Sequence, residues 1–351
     1  MNANTKPTYC VDLAKNKFQV HAFSARGEVL QRRTLTRAKF DELFSNPKTP
    51  RGLVVMEACA SSQYWARRFV RQGYEARLLP AQFVAKHRIG NKNDGNDADA
   101  IWAAHRDARV KSVPVKSVEQ QDACAWHRLR ERLVCERTQC VNQIRGLLAE
   151  RGRVAAKGGS GLMALVASVD QLSDEVTPVL ARMIGMIHQQ IEHIDQQLEA
   201  IEGELHATAK RDPVAKRVMT IHGLGVVTST AMAAETGGNV DRFADARQFA
   251  AGIGITPKEN STGETWRLGP ITKRGNPYLR RLLVQCAQSV IQNCRSRPDA
   301  ISKFARRLLD EKNKKHNTVV VAVANHLARI VYAVIKHGED YRPEGRAAAR
   351  A

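Results

Sequence analysis

Four acidic residues in the first hundred positions have the types and the order that phosphodiester chemistry needs. Asp12 and Glu57 each end a predicted strand, and Asp94 with Asp97 opens a predicted helix. Hard divalent cations take several oxygen ligands that converge from separate chain segments. Asp94 and Asp97 are three apart, so on a helix they leave one face with Cβ atoms about 5–6 Å apart. Carboxylates packed this closely stay ionised together only around cations, the condition of a two-metal phosphoryl-transfer site. Asp99 is the weaker candidate, because two residues beyond Asp97 it points to another face. Helix capping and the helix macrodipole explain Asp94 or Glu57 taken singly. They do not explain four such residues in this order.

Two further constellations suit phosphate. The run Pro257-Lys258-Glu259-Asn260-Ser261-Thr262-Gly263 is followed by Gly269 to Asn276, with Lys273 and Arg274 inside it and Arg280 and Arg281 just beyond. A serine in a glycine-flanked loop lets a phosphate approach closely, and the cations behind it neutralise anionic oxygens. On residue types alone this is a phosphate-binding loop; an unactivated serine needs a base or a metal before it can attack. Earlier, Thr220-Ile221-His222-Gly223-Leu224-Gly225 resembles a helix-hairpin-helix turn. The amides around Gly223 and Gly225, ahead of a helix N-terminus, can hold a phosphate without reading a base. Plain helix-to-helix packing accounts for the same glycines equally well.

The elements that must position these groups follow from periodicity. Tyr9–Leu13, Phe18–Phe23 and Val29–Thr34 form a meander of three strands; Leu53–Met56 and Ala76–Leu79 are two more, with helices at Ser61–Gln72 and Asn96–Arg106. The order βββαβα fits a mixed sheet with helical cover over residues 1–110. Residues 111–212 are helical. Ile184, Ile187, Ile191, Ile194, Leu198, Ile201 and Leu205 keep a heptad seam, the pattern of a coiled coil. Trp126, Leu129, Leu133, Cys140, Ile144 and Leu147 give an earlier helix much the same period, and Gly152 to Gly161 supplies a turn. Folding back within one chain and pairing between chains both satisfy the seam. Residues 213–340 are mainly helical, with a helix from Pro277 to Asn293, one from Pro298 and one from Thr318 to Gly338. A flexible tail is expected over 341–351.

Composition narrows the partner. The formal net charge of +20 over 351 residues points to a polyanion. Lys and Arg exceed Asp and Glu by 19 to 10 over residues 1–110 and by 19 to 8 over 251–351, whereas 111–250 balances at 17 each. The two ends are therefore the parts expected to meet phosphate. Seven cysteines with no C-x-x-C pair read as reduced thiols of a cytosolic protein. No apolar signal core opens the chain, and the richest apolar stretch, Val319–Ile335, contains His326 and Arg329 and reads as a core helix rather than a membrane span.

With these motifs in order, the chain resembles transposases of the insertion sequence 110 family over nearly its whole length. The resemblance is carried by Val11-Asp12-Leu13-Ala14-Lys15, Val55-Met56-Glu57-Ala58, Gly90 to Ala98, Ile221 to Gly225, and Pro257 to Arg281. It implies an α/β ribonuclease-H-like (Ruv-C-like) N-terminal domain, a coiled-coil insertion and a mainly α-helical C-terminal transposase domain. It also implies that Asp12, Glu57, Asp94 and Asp97 bind Mg²⁺, and that Ser261 attacks DNA to form a phosphoserine intermediate. Thr262 stands where relatives often carry serine, and Glu264 where many carry a second glycine. The implied partners are donor and target DNA, a structured guide RNA from the element, and further copies of the chain as a dimer or tetramer. The protein would be cytoplasmic and nucleoid-associated when bound to DNA. Two other functions compete: a metal-dependent junction-cleaving endonuclease in which water attacks, and a non-catalytic nucleic-acid scaffold.

Overall fold

The computed structural model describes residues 6–89, 94–156, 158, 161, 164, 166, 167, 176–263, 265 and 267–342, with the side chains of 94–96 excepted. The chain divides by its contacts into two units rather than three. One holds the residues up to Gln120 with Thr236–Phe249; the other holds Gln121–Glu235 with the residues from Ala250 onward. From Gln121 on, the segment expected to be a helical insertion falls in the same unit as most of the C-terminal part.

In the first unit, alternating side chains build a five-stranded sheet from β1 (Thr8–Leu13), β2 (Lys17–Phe23), β3 (Val29–Thr36), β4 (Leu53–Glu57) and β5 (Glu75–Leu79). Their order is β3-β2-β1-β4-β5; β1, β2 and β3 run antiparallel, and β1, β4 and β5 run parallel. Period-2 alternation divides the core between the two faces. Tyr9, Val11, Val54 and Met56 point to α1 (Arg37–Ser45) and α2 (Ser62–Arg71), where Phe40, Phe44, Trp65 and Phe69 are buried. Cys10 and Val55 point the other way, onto Ala100, Ile101 and Ala104 of α4 (Asp94–Arg106), which follows the short α3 (Ala81–Val84). Helix α1 did not emerge from periodicity. Thr36 caps it by accepting the Lys39 N–H, and Phe40 stacks on Phe18 with ring centroids 4.5 Å apart.

The second unit is built on two long helices, α5 (Val118–Ala149) and α6 (Pro178–Arg211). The Ile184-to-Leu205 seam packs on Leu133, Cys140, Ile144 and Leu148. Arg130 pairs with Glu202 at 3.0 Å and Arg137 with Asp195 at 2.5 Å, so seven residues up one helix match seven down the other. The pair is therefore antiparallel, and the seam closes within one chain.

Beyond it lie α7 (Pro213–Met219), α8 (Val226–Thr236), α9 (Ala246–Ile253), a ribbon of β6 (Pro257–Glu259) and β7 (Leu268–Ile271), α10 (Pro277–Asn293), α11 (Ala300–Arg306) and α12 (His316–His337). Helix α12 extends beyond the Val319–Ile335 stretch at both ends and is long and apolar enough to cross a bilayer by length and composition. Yet Val319, Val323, Leu327 and Val331 are fully buried in the protein, and α12 packs on α10. Tyr341 donates its N–H to Thr220 Oγ1 at 2.8 Å, and the expected tail beyond Arg342 lies outside the described residues.

A buried histidine cross-links this unit. Thr230 Oγ1 donates to the Val226 carbonyl at 2.7 Å, so it must accept from His127 Nε2 at 3.1 Å; Nδ1 then accepts from Tyr278 Oη at 3.0 Å. Burial, with Arg130 nearby, pushes the His127 pKa down to about 4 and keeps the ring neutral.

Candidate active site

Asp12 and Glu57 come together because β1 and β4 are parallel neighbours. Val11 pairs with Met56, so Asp12 and Glu57 follow at the carboxyl ends of both strands. Alternation then fixes their face: Asp12 shares parity with Cys10 and Glu57 with Val55, the side covered by α4. Both carboxylates are half-buried. The thiol of Cys59, in the turn between β4 and α2, reports on them. Its pKa is raised, first by burial and then by the charges of Glu57 and Asp12. That turn ends at Ser61, whose φ of 70° is the left-handed conformation unusual for serine.

Helix α4 brings its first turn over this same face. Asp97 lies four residues before Ile101, which is buried against the sheet, so it belongs to the sheet-facing stripe. Its side chain, only 15% exposed, is bonded by the Arg88 guanidinium. Asp99 has other partners, His21 Nδ1 at 2.8 Å and Arg32 Nη2 at 3.1 Å. Asp94 opens α4, and its side chain lies outside the described residues, as do Gly90 to Asn93. Among the described residues no three His, Cys, Asp or Glu side chains gather closely enough to hold a metal ion. The donor chemistry nonetheless fits a hard cation: two carboxylates stand at the carboxyl ends of adjacent strands, and a third, bonded by Arg88, stands on the covering helix.

Ser261 belongs to the second unit. It sits near the tip of the β6–β7 ribbon, exposed, and its Oγ accepts the Arg267 N–H at 3.3 Å. That bond uses a lone pair of the oxygen and not its proton. Thr262 and Thr265 exchange both backbone bonds, at 3.1 and 2.7 Å, and close the tip around Gly263, whose φ is 28°. Glu264 lies outside the described residues. The expected loop is thus a β-ribbon. Of the four cations placed behind the serine, Arg280 donates to the carbonyls of Ile253 and Arg274, and Arg281 bonds Glu131. Lys273 and Arg274 are exposed.

The Gly223 turn is governed by packing. Gly223 has a φ of 88°, and a Cβ there would stand 2.4 Å from Val290 Cγ2 of α10. Gly225 accepts the Ser229 N–H at the start of α8. Beside the turn, Arg130, Gly223, Val227, Thr228, Gln285 and Ser289 line a cavity of about 240 Å³.

Two family models match separate parts of the chain. A family model described as transposase of the IS116/IS110/IS902 family matches residues 215–303, and a DEDD-type IS110 transposase model matches residues 10–151. The chain is 38% identical over 337 residues to a probable family 20 transposase of Pseudomonas aeruginosa, covering 95% of this chain and 98% of that one. It is 34% identical to the transposase for insertion sequence element IS1111A of Coxiella burnetii, over 95% and 90% of the two chains, and 33% identical to that for IS1328 of Yersinia enterocolitica, over 93% and 96%.

Proposed function

Because this chain belongs to the IS110 family of insertion-sequence transposases, we propose that it cuts and rejoins DNA through a phosphoserine intermediate on Ser261. Its DEDD-type N-terminal domain carries the ribonuclease-H-like fold and divalent-metal use that such a domain implies. The observation that carries the proposal is the meeting of Asp12 and Glu57 at adjacent parallel strand ends, on the face that α4 covers. A divalent cation there, Mg²⁺ by this proposal, supplies charge neutralisation at the scissile phosphate and acidifies a nearby hydroxyl. Asp12, Glu57, Asp94 and Asp97 would hold it, with Asp97 leaving Arg88.

The chain's own groups divide the remaining work. Ser261 Oγ forms a bond to phosphorus while the bond to the 3′ oxygen breaks; the serine proton leaves and the 3′ oxygen gains one. Attack by a free 3′ hydroxyl on the phosphoserine reverses these changes, so rejoining needs no nucleotide cofactor. Each unit lacks what the other has. The carboxylates are ligands rather than nucleophiles, and Ser261 has no base among its described contacts. By this proposal the carboxylates and Ser261 act on the same phosphate, from one chain or from copies in a dimer or tetramer.

Donor and target DNA are the substrates. A structured RNA from the element would read sequence by base pairing, while the basic ends of the chain hold backbone. An aromatic content of 5% leaves few side chains for stacking bases. The α5–α6 pair would serve as a coiled-coil arm between such partners, and the protein would act in the cytoplasm on the nucleoid.

The test is a denaturing gel of protein incubated with labelled element DNA. Wild type should carry label covalently and Ser261→Ala should carry none. Cleavage by Ser261→Ala without attachment would make water the nucleophile, as in a junction endonuclease. Unaltered recombination by Asp12→Asn and Glu57→Gln would leave only a scaffold.

A further inference from the structure

We infer that Arg280 is a positioning residue for Ser261: its guanidinium clamps both legs of the ribbon to α10 and so sets where the ribbon tip points. This rests on the proposed role of Ser261 as nucleophile.

A two-stranded ribbon holds itself poorly in water. Here β6 is exposed throughout, and β7 alternates exposed and half-buried residues, so the ribbon has little packing of its own. Its direction must come from its base, where the two legs cross in contact. Gly254, with φ of 82°, has no room for a Cβ, which would lie 2.0 Å from the Arg274 carbonyl oxygen. Gly275, with φ of 83°, would set its Cβ 1.9 Å from the Gly252 oxygen. Thr272 and Lys273 donate their N–H groups across this crossing to Thr256 and Gly254, at 2.9 and 3.2 Å.

Arg280 reaches the crossing from the first turns of α10. Its Nη1 donates to the Ile253 carbonyl at 2.9 Å and to the Arg274 carbonyl at 3.3 Å, one on each leg. Helix α10 is itself held, by the Asn276 cap and by buried Leu279, Leu282 and Leu283. One planar cation thus joins a seated helix to the segments that enter and leave the ribbon, at the end of α9 and just after β7.

The lever is long. Seven residues from Gly254 to Ser261 at about 3.3 Å each span at most roughly 23 Å. A tilt of about 5° at the base then moves the hydroxyl by up to roughly 2 Å, when about 1 Å of misplacement can cost on the order of 100-fold in rate. Lysine, a point charge on a flexible stem, holds two carbonyls less firmly than the fixed guanidinium fork.

The experiment uses the full-length protein with Arg280→Ala and Arg280→Lys. Amide hydrogen exchange is followed at Thr272 and Lys273, recombination between two plasmids carrying the element is counted, and binding to plain duplex DNA is measured across salt. Arg280→Ala should lose protection at the ribbon base while α5 and α6 keep theirs, and recombination should fall about 100-fold. Arg280→Lys should recover part of both, and DNA affinity with its salt slope should stay at wild-type values.

The inference is overturned if Arg280→Ala keeps its protection while its salt slope drops by about one, the mark of a lost phosphate contact. It is equally overturned if protection goes and recombination stays. Should Arg280→Ala unfold, seen as lost protection in α5 and α6, Arg280→Lys supplies the same two comparisons. Recombination by Ser261→Ala would sink the nucleophile assignment alone, and exchange at Thr272 and Lys273 would still decide whether Arg280 clamps the ribbon.

Discussion

The carboxylates and the serine are carried in opposite ways. Asp12 and Glu57 stand on interior strands of a sheet packed on both faces, so backbone ladders and two cores fix them before any ligand arrives. Ser261 stands near the tip of an exposed ribbon, held by a few backbone bonds and by contacts at its base. An ion site needs ligands set to a fraction of an ångström, whereas a nucleophile that must meet and then pass on a DNA strand gains from standing at the end of an arm. The contrast can be broken at several points.

The largest effect is chemical. Ser261→Ala and Asp12→Asn should each remove recombination, by roughly 10⁶-fold on the scale of losing an essential nucleophile, when two-plasmid recombinants are counted. A surviving tenth of wild-type activity in either would remove that member from the pair.

Next is the foundation of the sheet. Phe40 is fully buried between Phe18 and Trp65, so Phe40→Ala should cost about 3–5 kcal/mol in denaturant unfolding of the first unit. Among the described residues of the ribbon there is no comparable single truncation, since its strands bury no side chain.

The third is a pH dependence in the second unit. His127 is neutral when folded, with its pKa pushed down to about 4, while in the unfolded chain it titrates near 6.5. Its contribution is therefore complete above about pH 6.5 and declines as pH falls toward 4, by up to about 3 kcal/mol. His127→Gln should flatten that part of the stability profile; an unchanged slope would assign the acid sensitivity to other groups.

The smallest effect is at the helical pair. Arg137 and Asp195 are 37% and 46% exposed, so Arg137→Ala should cost no more than about 1 kcal/mol, less in high salt. A larger loss would mean the pair is more rigid than its surface suggests.

The sheet was readable because its strands alternate: Tyr9–Leu13 and Leu53–Met56 carry apolar residues for two cores, and their ends deliver the acids. The seam was readable because Ile and Leu repeat over three heptads, but its antiparallel closure was not, since that depends on which surface each helix meets. Helix α1 was hidden by its length and charge, with Phe40 and Phe44 its one periodic signal. The ribbon was hidden more deeply. Its strands are only three and four residues long and largely exposed, and what holds them is the backbone crossing at Gly254 and Gly275, which no periodicity records. Arg280 and Arg281 show the same gap at the site. A sequence displays cations, and only the fold shows that one is spent on two carbonyls and the other on Glu131.

One stereochemical measurement goes straight to the serine. DNA carrying a single phosphorothioate of known configuration at the exchanged bond is recombined, and the configuration in the joined product is read. Two in-line displacements, onto Ser261 and off again, give net retention, which is the expected result. Inversion in the product would mean that DNA attacks DNA in one step, and Ser261 would then hold no covalent intermediate.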